Sequence, residues 1–586
     1  MAEAAVTGSA AAVPSPATTV HGAWAAVLDV LQGAGVHTLF GLPADDVALV
    51  RALRGRRTGP VLVTCADQRS AVFMATGYAT AAGGVGVAVV GKGPAVTNTA
   101  TGLLEAAASA SPVLVLAAGT PAARRDAGAF QELDQLGAVR GLVSWAGRVD
   151  TPERLVPQLV RAIRTATGPV PGPVFLEIPD DLLAAEVPVR TLLPRSGDDA
   201  VGPADPDGAA SRTVRSARRP LLLVGGGMRN APAGRAEALA DALGAPIVVT
   251  ASGRGSVDED HPRFVGLSGL YAPPATAELW ARTDCVVALG SRLEETAVEG
   301  WPARIGTEVP VVQVNRSPRE FSVEFDGPVV VGDAAAVAEG WTRPGGGAVP
   351  DWLVRAAGVR DRAIAESTAD RRPTAPGAPP RVRDVLDALA ACLDRDAVLV
   401  QENGLADMWT YHWPAWSCGS AGGSVVPSEQ TPLGCGAAAA AGVKAAVGDR
   451  QVVAVVGDGA LAMVDVELPP LVTAGLGVLY VVLDNGGYGW LERQLDDVPP
   501  AERAVFARPG AGGPVHDRVD HVTVSDVAGL RPAVERALRI TEGGRPAVVR
   551  VPVALDDSPV EGLVPAGDVP VRPVADVHCS EEGERS

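Results

Sequence analysis

Short apolar runs recur along this chain, separated by stretches of helical periodicity and by turns rich in Gly, Pro, Asn and Asp. Runs at 61–65, 85–90, 171–179, 219–224, 286–289, 311–314, 398–401, 452–456, 477–483 and 546–553 lack the polar alternation of a half-exposed strand. A strand that is apolar on both faces is covered on both faces, as in a parallel sheet between helix layers. The pattern predicts an α/β protein of doubly wound parallel sheets, in three successive blocks. We place the blocks at 20–190, 191–342 and 383–570. Between the second and third, Pro/Gly-rich segments at 343–350 and 371–382 predict a linker with a short helix inside it. The Ala/Pro-rich residues 1–19 and the charged residues 571–586 read as tails.

The most informative stretch is 457–489, GDGALAMVDVELPPLVTAGLGVLYVVLDNGGYG. It runs from a strand end through a glycine-flanked Asp458 and a helical segment into a second strand, which ends at Asp484-Asn485-Gly486-Gly487. Strand, turn, helix and strand bring both turns to the carboxyl ends of neighbouring parallel strands, where open α/β sheets bind ligands. Asp458 and Asn485, 27 residues apart, can then meet around one hard cation.

Composition narrows the class without naming the chemistry. Among 586 residues, 47% are hydrophobic, enough to fill several cores, and the net charge of −18 disfavours non-specific nucleic-acid binding. Lysine occurs only at 92 and 444, with arginine supplying the other basic residues. Six cysteines (65, 285, 392, 418, 435, 579) form no CxxC pair, so neither a disulfide framework nor a zinc site is indicated. No basic start precedes an apolar core near the first residue, and no run is long enough to span a bilayer. The expectation is a cytoplasmic protein.

The GDG turn, the spacing to Asn485 and the flanking strands resemble the signature of thiamine diphosphate (ThDP) enzymes. Further matches are FGLP at 40–43, AVFMATGYA at 71–79, GPAVTN at 93–98 and AFQELD at 129–134, with SEQTPLGCGAAAAAGVKAA at 428–446. Together they are similar to the acetolactate synthase branch of that family. The resemblance implies pyrimidine-binding, central and diphosphate-binding domains in that order. It implies that Asp458, Asn485 and the carbonyl of Gly487 hold Mg2+, and that Gly404, Thr431, Gly457, Gly459 and Ala460 line the cofactor. Leu433 matches the apolar wedge beneath the thiazolium. Phe130 and Gln131 match a pair that lines the substrate pocket.

Several positions depart from the family pattern. Where relatives place a glutamate against the aminopyrimidine, this chain has Gln68, preceded by Asp67. An extended segment would point Asp67 the other way, and a bulge would exchange the two. Gln68 can donate a hydrogen bond but cannot usefully exchange a proton. Lys92 stands where relatives carry Ser or Thr; it reads either as a point charge for a substrate carboxylate or as a solvated surface lysine. Asp484 replaces the first of two asparagines. The run Gly225–Gly227 does not match GxGxxG and reads as a tight strand-to-helix turn, so FAD is possible but not favoured. After Gln494, a short Pro/Gly-rich stretch at 496–521 stands where relatives carry a lid. No two histidines are adjacent, which removes a pair used by simple decarboxylases of the family.

By resemblance, then, the chain is a ThDP- and Mg2+-dependent carboligase of acetolactate synthase type. It would decarboxylate a 2-oxoacid and add the resulting enamine to an acceptor carbonyl. A lyase or oxidase of the same family is the enzymatic alternative. A catalytically silent ThDP-binding partner subunit is the other, supported by Gln68. The resemblance also implies a homodimer or homotetramer, in which the first domain of one subunit faces the third domain of its partner.

Overall fold

The computed structural model describes residues 19–42, 47–189, 208–342, 348–369, 374, 377–404, 407–420, 422–487, 489, 498–499, 502 and 518–554. The expectations for both tails, for Pro43 and for most of 496–521 lie outside these residues. The first domain opens with β1 (Thr19–Gly22). It continues through β2 (Thr38–Gly41), β3 (Val61–Thr64), β4 (Gly86–Val90), β5 (Val113–Gly119), β6 (Trp145–Arg148) and β7 (Val174–Pro179). Last comes β8 (Glu186–Val189), which pairs antiparallel with β1. The sheet order is β3-β2-β4-β5-β7-β6, all parallel.

The central domain contains β9 (Pro220–Val224), β10 (Ile247–Val249), β11 (Phe264–Leu267), β12 (Cys285–Leu289), β13 (Val311–Asn315) and β14 (Val329–Val331). Its order, β11-β10-β9-β12-β13-β14, is that of the dinucleotide-binding fold. The third domain contains β15 (Val398–Gln401), β16 (Ser424–Val425), β17 (Val452–Gly457), β18 (Leu479–Asp484), β19 (Asp520–Thr523) and β20 (Ala547–Pro552). Its order, β16-β15-β17-β18-β20-β19, repeats that of the first domain strand for strand. All three six-stranded sheets are parallel, the three doubly wound α/β domains that the apolar runs anticipated. Most of the runs without alternation are inner strands, and β4, β9, β12, β13 and β15 are buried along their whole length; the run at 61–65 departs from that expectation, because β3 is the edge strand and its Val61 is exposed.

Two features adjust the simpler picture. The helix between the linker segments spans Pro350–Ala369, twenty residues, longer than the short helix expected. Its Trp352, Ala356 and Val359 pack into the central core, and the Trp352 indole donates to the Pro220 carbonyl at 2.9 Å. The first and third domains also share one core. It is built where the helix Gln68–Ala82 crosses the alanine-rich helix Cys435–Val447. A Cβ on Gly77 would lie well inside contact of the Ala439 carbonyl, and one on Gly442 inside that of Met74. Only glycine lets the two backbones come this close. The junction holds the carboxyl ends of the outer sheets near one another.

Candidate active site

At the carboxyl end of the third sheet, the register pairing Gly457 with Leu483 sets Asp458 and Asn485 just beyond adjacent strand ends. Asp458 begins the helix Asp458–Ala462 and is 5% exposed; Gly459 is partly buried and Ala460 buried. Asn485 Oδ1 accepts from Gly487 N at 3.2 Å, folding the Gly486-Gly487 turn back over the strand end. On the other side of β17, the register pairing Gln401 with Val455 brings Gly404 to the same end as Asp458. One carboxylate, one amide oxygen and one backbone carbonyl are the donors a hard divalent cation takes. Among the described residues no group of three His, Cys, Asp or Glu could hold a metal, so a cation here relies on this mixed set.

The loop before the helix Cys435–Val447 carries Thr431 and Leu433. Thr431 adopts φ +41°, and its carbonyl accepts from Asn403 Nδ2 at 3.3 Å. Leu433 is 37% exposed, an apolar side chain presented outward. Next to it, a Cβ on Gly434 would lie 3.2 Å from Met463 and Val464, so the loop rests on the segment that follows Asp458.

Gln68 is not in an extended segment. Asp67 is the N-cap of the helix Gln68–Ala82, its carboxylate accepting from Arg69 N at 2.8 Å and Ser70 N at 3.2 Å. Side-chain alternation therefore does not apply, and no bulge is needed. The cap occupies Asp67 and leaves Gln68 as the first helical residue, nearly buried, with Oε1 accepting from Asn98 Nδ2 at 3.0 Å. Arg69 Nη2 donates to the Met463 carbonyl at 3.3 Å. Three predicted parts, the start of the Gln68 helix, the Leu433 loop and the continuation of the GDG turn, thus meet around Met463 within one chain.

Lys92 is neither a bare point charge nor a solvated lysine: it is ion-paired with Asp180, and its side chain is largely covered. The next residue, Gly93, donates its N–H to Gln135 Oε1 at 2.8 Å, and a Cβ there would lie 2.5 Å from the Gln131 carbonyl. The Lys92 turn and Gln131 are therefore neighbours. Phe130, beside Gln131, is 79% exposed, a large aromatic surface with nothing over it among the described residues.

Among the buried carboxylates that sequence reasoning missed, three lie beside the residues above. Glu402, directly after β15, is fully buried and accepts from Asn403 N at 3.1 Å and Ala437 N at 3.0 Å. Burial pushes its pKa up to about 7, and the N–H groups of Ala437, Asn403, Gly434 and Gly436 oppose that rise. Glu105 and Glu467 are the other two. The one signal available was an acidic residue breaking an otherwise apolar segment, as at VLVQENG.

The central crevice has a different character. Gly225 N donates to the Leu289 carbonyl and Gly227 N to the Gly290 carbonyl, both at 2.9 Å. Gly226–Met228 forms a single 3-10 turn, the tight turn anticipated from the triple glycine. At this turn the Gly225 and Gly227 N–H groups are bonded to the loop that follows β12.

Three domain models of one family match the chain: the N-terminal thiamine pyrophosphate binding domain over 23–138, the central domain over 208–340 and the C-terminal binding domain over 403–551. A probable acetolactate synthase large subunit of Methanocaldococcus jannaschii is 27% identical over 488 residues, covering 79% of this chain and 80% of the relative. The acetolactate synthase large subunit of Parasynechococcus marenigrum is 30% identical over 507 residues, covering 82% and 79%. A probable 2-ketoarginine decarboxylase of Pseudomonas aeruginosa is 32% identical over 321 residues, covering 54% and 56%. With these three domain models matched in order along it, the chain belongs to the thiamine pyrophosphate enzyme family, on the acetolactate synthase-like branch.

Proposed function

We propose that the chain is a ThDP- and Mg2+-dependent carboligase that decarboxylates a 2-oxoacid and joins the remaining acyl unit to an acceptor carbonyl. The observation that carries this reading is the meeting, around Met463, of the Gln68 helix start, the Leu433 loop and the GDG turn. In this reading Asp458, Asn485 and the Gly487 carbonyl hold the cation that anchors the diphosphate. Gly404, Thr431, Gly457, Gly459 and Ala460 supply a close backbone surface for the phosphates. When bound, the cofactor supplies a thiazolium that takes up the electron pair released on decarboxylation.

The protein's own part is orientation and exclusion of water. Leu433 gives the thiazolium an apolar support. Gln68, oriented by Asn98, offers an amide to the aminopyrimidine and holds no proton there. Phe130 and Gln131 face the substrate, and the Lys92–Asp180 pair sets the turn beside them. A homodimer or homotetramer remains part of the proposal.

Assays with a panel of 2-oxoacids, following carbon dioxide and product mass, test the reading. Carbon dioxide release with a ligated product supports it. A chain that binds ThDP yet consumes no 2-oxoacid overturns it in favour of the silent partner subunit. That second reading draws on one observation, an amide at residue 68 where the family uses a carboxyl group.

A further inference from the structure

Between β10 and β11 the central domain carries Arg254 and Glu259, an ion pair whose two side chains are both wholly buried. Arg254 Nε and Nη2 donate to the two Glu259 carboxylate oxygens at 2.8 and 2.7 Å, a bidentate pair. Neither side chain stops there. Arg254 Nη1 donates to the Thr410 carbonyl at 2.6 Å, and Nη2 to the Trp416 carbonyl at 2.8 Å. Glu259 Oε2 accepts from Cys418 N at 2.9 Å. Through these backbone groups the central domain holds the third-domain segment 407–418, which lies between β15 and β16.

The hold passes to the end of β15 through side chains that are themselves wholly buried. Thr410 Oγ1 accepts from Gln401 Nε2 at 2.9 Å, and Gln401 Oε1 accepts from Ser424 Oγ at 2.7 Å, so both ends of the Gln401 amide are fixed. Gln401 is the last residue of β15, three before Gly404. A Cβ on Gly436 would lie 2.0 Å from the Gln401 carbonyl, so the same strand end also seats the helix Cys435–Val447. An ion pair taken wholly out of water is costly, and its replacement by apolar side chains of similar volume is often neutral or stabilising. Packing alone therefore does not call for Arg254 and Glu259. What apolar side chains cannot do is direct hydrogen bonds to chosen backbone groups.

We propose that Arg254 and Glu259 are positioning residues for the diphosphate end of the site, acting through Thr410 and Gln401 on the rim at Gly404. The proposal rests on the cofactor reading above. It needs only the third domain's half of the site, so it holds when a partner subunit supplies the pyrimidine end. Neither side chain touches the cofactor or moves a proton. The pair lies on the β10 side of β9, across that strand from the contact between Gly225 and Gly290.

Calorimetry on the full chain with Mg2+ tests this, with ThDP and inorganic pyrophosphate as probes and thermal unfolding of the same samples. The double variant Arg254→Met, Glu259→Leu fills the space with apolar side chains and leaves no buried charge unpaired. The expected result is a loss of about tenfold for ThDP and pyrophosphate alike, the fold-change that roughly one buried hydrogen bond represents. Thr410→Val removes only the hydroxyl to which Gln401 donates. It should weaken both probes by about threefold, and it decides the matter if the double variant does not fold. Arg395→Met removes a surface pairing of the third domain with Asp258 and Asp260 and should leave both affinities at the wild-type value. Unchanged affinity per folded molecule in either of the first two variants marks a merely structural role and overturns the proposal. An equal loss in Arg395→Met does the same, and so does loss of ThDP with pyrophosphate spared. A wild type that binds neither probe overturns the cofactor reading, and the positioning role with it.

Discussion

The central and third domains both offer a crevice where the strand order reverses, between β9 and β12 in one and between β15 and β17 in the other. In the central domain the crevice is shut by backbone: a Cβ on Gly225 would lie 2.5 Å from the Gly290 carbonyl, and Gly227 N bonds to that same carbonyl. In the third domain the corresponding loops carry acidic side chains. One carries Glu402 inward and Gly404 to the rim; the other carries Asp458. Parallel sheets supply the location of a site in both cases. Loop chemistry distinguishes the two locations, which topology alone would mark equally.

The comparison breaks most easily at Asp458. Asp458→Ala removes the single carboxylate from the donor set at the third crevice, and Mg2+-dependent ThDP binding should fall by at least about a hundredfold with the fold intact. Calorimetry with unchanged affinity would remove the metal assignment. Glu402 sharpens the contrast next, because the central crevice has no buried charge at the end of β9. Its folded pKa of about 7 lies above the ordinary 4.5, so the native state holds this proton more tightly than the unfolded chain does. The stabilisation is complete below pH 4.5 and is lost as pH rises through 7, a change of about 3 kcal/mol. Glu402→Gln should flatten that part of the stability profile in denaturant titrations run across the window. An unaltered slope would mean that Glu402 is not the group that titrates.

Gln68→Glu tests whether the used crevice is also an activated one. A carboxyl group in place of the amide can share a proton with the aminopyrimidine, and general acid–base contributions are on the order of a hundredfold or more. Exchange of the ThDP C2 proton, followed by quenched NMR, isolates this step from the choice of substrate. Accelerated exchange is the expected outcome. Exchange at the wild-type rate would show that residue 68 does not face the ring.

Much of this was legible in the order of residues. Continuous apolar runs gave the inner strands, and the GDG turn gave the third crevice, because both are local patterns with direct physical causes. What escaped was set by distance along the chain. Glu467 finds its N–H partners 400 and 401 residues away, and Glu105 finds Ser428 at a separation of 323. Lys92 is neutralised by Asp180, 88 residues on, which no local reading would pair. The extended reading of Asp67 and Gln68 fails for a nearer reason. Strand alternation was applied at a helix N-cap, where Asp67 bonding to Arg69 N and Ser70 N fixes the geometry instead.

The smallest expected effect falls on the central crevice. At Gly227 a Cβ would sit 2.9 Å from Gly290 Cα and 3.0 Å from the Gly290 carbonyl oxygen, both backbone atoms with little room to move. Gly227→Ala should therefore force the two loops apart and destabilise the protein by about 1–3 kcal/mol, the usual cost of overpacking. The glycine turn lies in the central sheet, outside the junction around Met463, and no residue assigned to the diphosphate or pyrimidine ends rests on it. ThDP affinity per folded molecule should stay within about twofold of wild type, well under the 1.4 kcal/mol that marks a tenfold change. Thermal unfolding and calorimetry on the same sample read the two quantities separately. A loss of stability with affinity unmoved would mark the central crevice as a packing joint; a matched loss of affinity would couple the central turn to the cofactor and undo the distinction between the two crevices.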